Sequence, residues 1–128
     1  MFESLDYLYL PSRDVAADVE AFTALGARLI FAIEAMGTRV AMVQPSEHGP
    51  GVVLAGHLEG DQGIFVYRVS DLDAAARDLE ARGWRPGHGL EIPQGPVRRF
   101  ESQAGRQIAI YELTRPSVIE SFAGRRDF

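Results

Sequence analysis

Cysteine is absent from the 128 residues, so disulfides, thiolate metal sites and a cysteine nucleophile are all excluded. Long apolar runs are missing as well, and nothing approaches the roughly 18 consecutive apolar residues that a membrane-spanning helix needs. The opening MFESLDYLYL has an acidic residue and no basic one before its apolar stretch. Secretory and transit signals are built the other way round, so a cytoplasmic protein with no membrane partner is expected. Lysine is also missing: all thirteen basic residues are Arg, set against eighteen Asp plus Glu, for a net charge of −5. That balance opposes non-specific binding to phosphate backbones, and no nucleic-acid partner is expected. A local basic site for an anion survives at Arg98 with Arg99 or at Arg125 with Arg126. No Gly-x-Ser-x-Gly run and no Gly-rich phosphate loop is present, which removes the serine-hydrolase and nucleotide-binding readings.

What is present is a duplication. Asp14, Val15, Val19, Phe22 and Gly26 recur 57 residues later as Asp71, Leu72, Ala76, Leu79 and Gly83. In each copy an Asp can accept bonds from the free amides of a first helical turn, apolar residues follow at i, i+4 and i+7, and a Gly closes the pattern. Two helices in two related units follow. The apolar share of 46% is that of an ordinary globular protein, and the length suits a single domain with a real core.

Around the first helix, residues 5–10 (LDYLYL) alternate as a strand does, 27–33 and 38–43 form a hairpin about Gly37, 44–51 is a loop, and 52–55 is a short strand. The second unit begins with a strand at 63–69, runs through a helix at 72–82, and has an irregular Pro- and Gly-rich stretch from Pro86 to Pro96. Strands at 97–102 and 107–113 complete it. The pattern GPGVVL from Gly49 lies opposite GRQIAI from Gly105, one residue out of the 57-residue register, a slip assigned to the connecting loops. Each unit therefore reads strand, helix, strand, strand, strand.

Strand alternation sorts the side chains into two faces. Leu8, Leu10, Phe65, Tyr67, Val69, Ile108 and Ile110 suit a face packed under the helices. Tyr7, Tyr9, Val53, Ile64, Val66, Gln107, Ala109 and Tyr111 fall on the other. Both faces are largely apolar, so the second must be covered by ligand, partner subunit or tail.

These motifs resemble the vicinal oxygen chelate superfamily, which includes glyoxalase I, extradiol dioxygenases, fosfomycin resistance enzymes and bleomycin resistance proteins. Carrying the resemblance are Leu5-Asp6-Tyr7 with Asp14 seven residues after Tyr7, VSDLDAA from Val69 followed by LEARG from Leu79, and GRQIAIYE from Gly105 to Glu112. It spans residues 4–113. The fold it implies is α+β: two pseudo-symmetric βαβββ modules, about 4–57 and 62–113, forming a cupped, mostly antiparallel mixed sheet with helices on the convex face. A tail at 114–128 with a short helix at 118–123 follows, marked by Ser117, Glu120 and Gly124. One domain, 1–128, is expected, and the resemblance implies a homodimer.

Enzymes of that superfamily hold a divalent metal from the first and last strand of each module. Those positions fall here on Tyr7, Val53, Ile64 and Ala109, none of them an ordinary ligand, so neither metal nor other cofactor is expected. Asp6 lies one residue from Tyr7 and Glu112 three from Ala109, and an odd step turns a strand side chain to the opposite face. His48, His57 and His88 fall in or beside loops and read as solvent-exposed histidines.

The ligand-binding set is then Tyr7, Tyr9, Val53, Ile64, Val66, Arg98, Ala109 and Tyr111, with no catalytic residue assigned. Tyrosines supply stacking area and hydroxyls, and either Arg98 or Arg99 supplies a cation, since alternation turns only one inward. Filling of the cup by these Tyr is the competing reading. The implied function is a glyoxalase- or bleomycin-resistance-like protein that binds a small organic molecule, for which the acidic balance suits a cation. An isomerase, lyase or dioxygenase with an atypical site, using Tyr7, and a structural or regulatory dimer with a filled cup are the alternatives. The tail could cover one end of the cup, cross to another subunit or dock on its own surface.

Overall fold

Two aspartates start the two long helices in the same way. In the computed structural model, which describes residues 1–35, 37–92 and 94–128 and only the backbone of 88–92, helix α1 spans Val15–Ala24 and helix α2 spans Leu72–Ala81. Asp14 and Asp71 each have an extended backbone, and each Oδ1 accepts from an amide three residues on, Ala17 N and Ala74 N, both at 3.0 Å. This satisfies one of the amides that a helix start leaves without a partner. At the other end Gly26 and Gly83 take φ of 99° and 92°, the left-handed conformation that ends a helix most easily at glycine.

The chain divides into two compact units. The first comprises Tyr7–Gly63 and Phe122–Phe128. Its sheet holds β1 (Ser4–Pro11, from Tyr7 onward), β2 (Arg28–Ala35), β3 (Thr38–Gln44) and β4 (Gly51–Ala55), in the order β2-β3-β4-β1. β1 runs parallel to β4 and the other pairings are antiparallel. Val15 and Val19 of α1 pack on Ala32, Ala41, Val43, Val52 and Leu54, with Leu8 and Leu10 beside them, as the alternation predicts.

The second unit comprises Met1–Asp6 and Ile64–Ser121. Its sheet is β5 (Ile64–Val69), β8 (Gln107–Glu112), β7 (Gly95–Glu101) and β6 (Arg85–Ile92), with β5 parallel to β8 and the rest antiparallel. Leu72, Ala75, Ala76 and Leu79 of α2 pack on Val69, Phe100, Ile108 and Ile110, flanked by Tyr67 and Trp84. The registers carry the duplication down to single residues. Leu8 lies opposite Val52 and Phe65 opposite Ile108, which are equivalent positions once the one-residue slip before β4 and β8 is applied.

Two expectations need correction. The stretch from Pro86 to Pro96 is largely strand: β6 occupies Arg85–Ile92, with a register shift against β7 between Pro86 and Gly89, and β7 starts at Gly95. As the outer strand of its unit β6 pairs only with β7, and an edge strand tolerates Pro and Gly. Phe65, assigned to the helix face, is 43% exposed and meets Tyr67 edge-on. The compact units do not follow chain order: the first six residues group with the second unit and the last seven with the first.

Helix α3 (Val118–Phe122) forms where the capping pattern predicts. Beyond it the chain runs parallel to β2 through Ala32 and Arg126. Gly124 N donates to Ile30 O, Ala32 N to Arg125 O, and Asp127 N to Ala32 O. Phe122 meets Phe31 at 6.1 Å between centroids, while Phe128 packs on the α1-side cluster under the Arg39 guanidinium. The tail thus straps the outer edge of β2, which would otherwise expose unpaired backbone groups.

Candidate functional site

Each unit has one sheet face under its helix and one turned away from it, and the second carries the candidate residues. In the first unit Tyr7 pairs with Gly51, Tyr9 with Val53, and Val53 with Met42. A Cβ at Gly51 would lie 2.5 Å from Met42 Cε and 3.3 Å from Tyr7 Cδ1, so the missing side chain is what lets those two groups approach. Gln44 ties down the loop before β4 by donating from Nε2 to the carbonyls of Ser46 and Gly49, both at 2.8 Å. Tyr9 Oη lies 2.8 Å from Nε2 of His57. His57 is a solvent-exposed histidine in the turn after β4, as expected, and its ring reaches Tyr9 on this face. His48, by contrast, is fully out in solvent, and the side chain of His88 lies outside the described residues.

In the second unit Ile64, Val66, Ala109 and Tyr111 occupy the face away from α2, and all four are buried. The Tyr111 hydroxyl donates to the Asp6 carboxylate, which also accepts from Ser4 Oγ at 2.5 Å. The Arg68 guanidinium stands 3.7 Å from Asp6 and 3.6 Å from Glu3, an ion-pair separation at which its buried Nε makes no hydrogen bond. Asp6, expected to turn away from this face, is therefore part of it. Glu112 does turn away, as expected: its Oε1 accepts from Leu72 N at the start of α2.

Arg98 is the site residue that the structure relocates. It pairs with Ile110 on the helix side, and its Nη2 lies 2.7 Å from Asp73 Oδ1 on α2. Its neighbour takes the inward position: Arg99 pairs with Ala109 and donates from Nη2 to Gln107 Oε1 at 2.6 Å.

The resemblance puts the superfamily's metal-holding positions at Tyr7, Val53, Ile64 and Ala109. Val, Ile and Ala offer no lone pair, and Ile64 and Ala109 are only 2% and 3% exposed. No group of three or more His, Asp or Glu converges into a cation site among the described residues. The side chains present do not fit a divalent metal. A separate cleft of about 440 Å³ opens in the first unit among Pro11–Arg13, Gly56, Leu58, Gly60 and Asp61. Its Arg13–Asp61 pair, at 3.6 Å, is almost fully exposed and correspondingly weak.

In comparison with solved structures, methylmalonyl-CoA epimerase from Mycobacterium tuberculosis superimposes with a TM-score of 0.73 at 20% identity, over 90% of this chain and 91% of that one. This is the vicinal oxygen chelate fold. A glyoxalase I mutant from Zea mays shares it, with a TM-score of 0.66 at 14% identity over 86% of this chain and 43% of that one. So does a glyoxalase/bleomycin resistance protein/dioxygenase superfamily member from Vibrio splendidus, at 0.57 and 14% over 83% and 95%. No protein-family model matches the chain, and no curated protein matches it in sequence. At these identities the vicinal oxygen chelate fold is what the structures have in common. No helix among the described residues is long and apolar enough to cross a membrane.

Proposed function

We propose that this protein binds a small organic molecule on a sheet face turned away from the helix of its unit, without a metal ion. The observation that carries the reading is the replacement of donor side chains by Val53, Ile64 and Ala109 on a fold whose enzymes use those positions for a metal. Each unit, taken by itself, carries groups suited to an organic ligand. In the first, Tyr7 and Tyr9 offer aromatic surface and the Tyr9–His57 pair a polar edge; in the second, Arg99 is a guanidinium held by Gln107. Apolar surface with a few placed polar groups is the usual make-up of small-molecule sites. Sequestration of the ligand, as in the bleomycin resistance proteins of the resemblance, is the activity proposed, with a homodimer as the assembly.

The test combines metal analysis with thermal shift. After incubation with Zn²⁺, Mn²⁺ and Ni²⁺ followed by gel filtration, the protein should carry far less than one ion per chain. A broad metabolite panel should contain compounds that raise Tm equally with and without EDTA, since a ligand at 100 times its Kd adds about 2.7 kcal/mol of stability. One tightly held ion per chain would end the proposal, as would a panel in which nothing shifts Tm.

One contact favours a second reading, an enzyme of the same fold with an atypical site. Tyr9 Oη and His57 Nε2 are within hydrogen-bond distance, on a half-buried Tyr and an exposed His, an arrangement able to pass a proton to or from a bound molecule. If so, turnover should depend on His57, and His57→Gln should abolish it while leaving ligand affinity within a few-fold.

A further inference from the structure

We propose that Arg99 is the anchor for the carboxylate of an organic acid, with Gln107 as its positioning residue; this rests on the ligand-binding reading above and names the ligand's chemical class. The argument starts from charge pairing. On the second unit's sheet the other guanidiniums with described partners sit beside acids: Arg98 on Asp73, Arg85 on Glu101, and Arg68 between Glu3 and Asp6. Arg99 differs. Among the described residues its side-chain partner is a neutral amide oxygen, that of Gln107, and no carboxylate pairs with it. Glu101, two residues along on the same face, is committed to Arg85 at 3.6 Å.

Arg99 is half-buried, beside Ala109, on a sheet face that also carries Ile64 and Val66. A guanidinium beside apolar surface with no counter-charge is unfavourable unless something supplies one. In a chain with eighteen acidic residues, the missing charge is readily assigned to a ligand. On its other side Arg99 faces Gly87, whose absent Cβ would lie 3.5 Å from Arg99 Cβ, so that residue puts no side chain over it. Gln107 uses one Nη and holds the guanidinium plane, leaving other N–H groups of the fork for a planar, singly charged acceptor. A carboxylate fits that geometry. A phosphate dianion would call for a second cation, and the others on this face are already beside acids, Arg85 on Glu101 and Arg68 between Glu3 and Asp6. The apolar neighbours suit a ligand with an aliphatic or aromatic body.

The experiment is an NMR titration of the full chain with matched pairs of probes. These are benzoate, phenylacetate, 3-phenylpropionate and octanoate, each against its primary amide. The wild type should prefer acids over amides by at least tenfold. Arg99→Gln should weaken the acids about 10- to 100-fold, the scale of one hydrogen-bonded charge, and leave the amides unchanged. Arg99→Lys, which keeps the charge without the fork, should fall between. Gln107→Glu is the sharper variant, because it places a carboxylate of the chain itself on Arg99. Acid binding should then disappear while amide binding persists, a split that a merely structural role for Gln107 would not produce. Equal binding of acids and amides, unaffected by Arg99→Gln, would overturn the inference and leave the ligand-binding reading standing. No shift from any probe at millimolar concentration would overturn both. Amide spectra of each variant, compared with the wild type, show whether a loss reflects the site or the fold.

Discussion

If the two helix starts are copies of one device, Asp14→Ala and Asp71→Ala should cost comparable stability, and their difference should follow from one contact that only α2 has. Each substitution removes a 3.0 Å bond to the third amide of its helix, a loss of about 1 kcal/mol, within a range of roughly 0.5–2, for an N-cap carboxylate. In α2, Glu112 Oε1 also accepts from Leu72 N at 3.1 Å. That contact leaves a second acceptor and a negative charge at the positive end of the helix dipole when Asp71 is gone. The first turn of α1 has no such second acceptor among the described contacts, since Asp18 there takes the Ser12 hydroxyl at 2.6 Å instead. Asp14→Ala should therefore cost about 1.5 kcal/mol and Asp71→Ala about 1. Adding Glu112→Ala to the second variant should raise its cost above the sum of the two single changes, because both groups serve the same helix start. Urea unfolding followed by far-UV circular dichroism reads these values, and each kcal/mol should move Tm by roughly 3–5 °C for a chain of this size. A negligible cost at both positions, or strict additivity of Asp71→Ala with Glu112→Ala, would refute the reasoning.

Leu54 and Ile110 occupy equivalent places in the two duplicated cores and are 1% and 0% exposed. Truncating either to Ala should cost about 3–5 kcal/mol by urea unfolding, and a cost below about 1.5 would mean that the cores are not packed as described. A Cβ at Gly95 would sit 2.0 Å from the carbonyl oxygen of Glu112, whereas at Gly51 it would meet the movable tip of Met42 at 2.5 Å. Gly95→Ala should therefore be the more damaging, by more than about 2 kcal/mol, and the reverse order in a melting comparison would count against the register of β7. The tail strap should respond to acid. The Arg125 hydrogen bond, then the Glu34 amide and the charge of Arg125, hold the Asp127 carboxyl below its ordinary range. A folded-state value below the unfolded one means that the contribution is present above the unfolded value, near 3.9, and is lost as pH falls through the folded one. NMR signals of residues 124–128 should stay fixed from neutral pH to about 5 and then move toward random-coil positions below about 4, while a tail that stays docked until the whole chain unfolds would refute the assignment.

Most of the architecture was legible because it rests on local chemistry repeated twice. The caps at Asp14 and Asp71, the closing glycines and the alternation of Leu8, Leu10, Val52 and Leu54 against α1 all appear where the residues place them. The Pro86–Ile92 strand was hidden because Pro and Gly signal a loop unless the strand lies at an edge, and edge position depends on sheet order. Arg98 and Arg99 illustrate the same dependence. Alternation says that one faces inward, but the parity comes from the pairing of β7 with β8, Arg99 opposite Ala109, and single-strand patterning does not contain it.

The contact of His57 with Tyr9 and the place of Asp6 went unread for two different reasons. His57 could have been found: Val53 and Ala55 alternate with it, and Tyr9 lies opposite Val53 in a parallel pair, so continuing the period-two count past the end of β4 brings residue 57 to the Tyr9 side. The composition of the surrounding loop masked that signal. Asp6 offered none, since the same count places it with Leu8 under the helix. Its carboxylate instead joins the Tyr111 hydroxyl and stands near the Arg68 guanidinium, partners more than sixty residues away. Alternation describes a strand that keeps one pleat along its length, whereas Ser4–Asp6 of β1 belongs to one compact unit and Tyr7–Pro11 to the other. A face assignment made from Leu8 and Leu10 therefore holds for the residues that share their unit. The polar network of Asp6 is decided by the second unit, where burial of Tyr111 requires an acceptor for its hydroxyl.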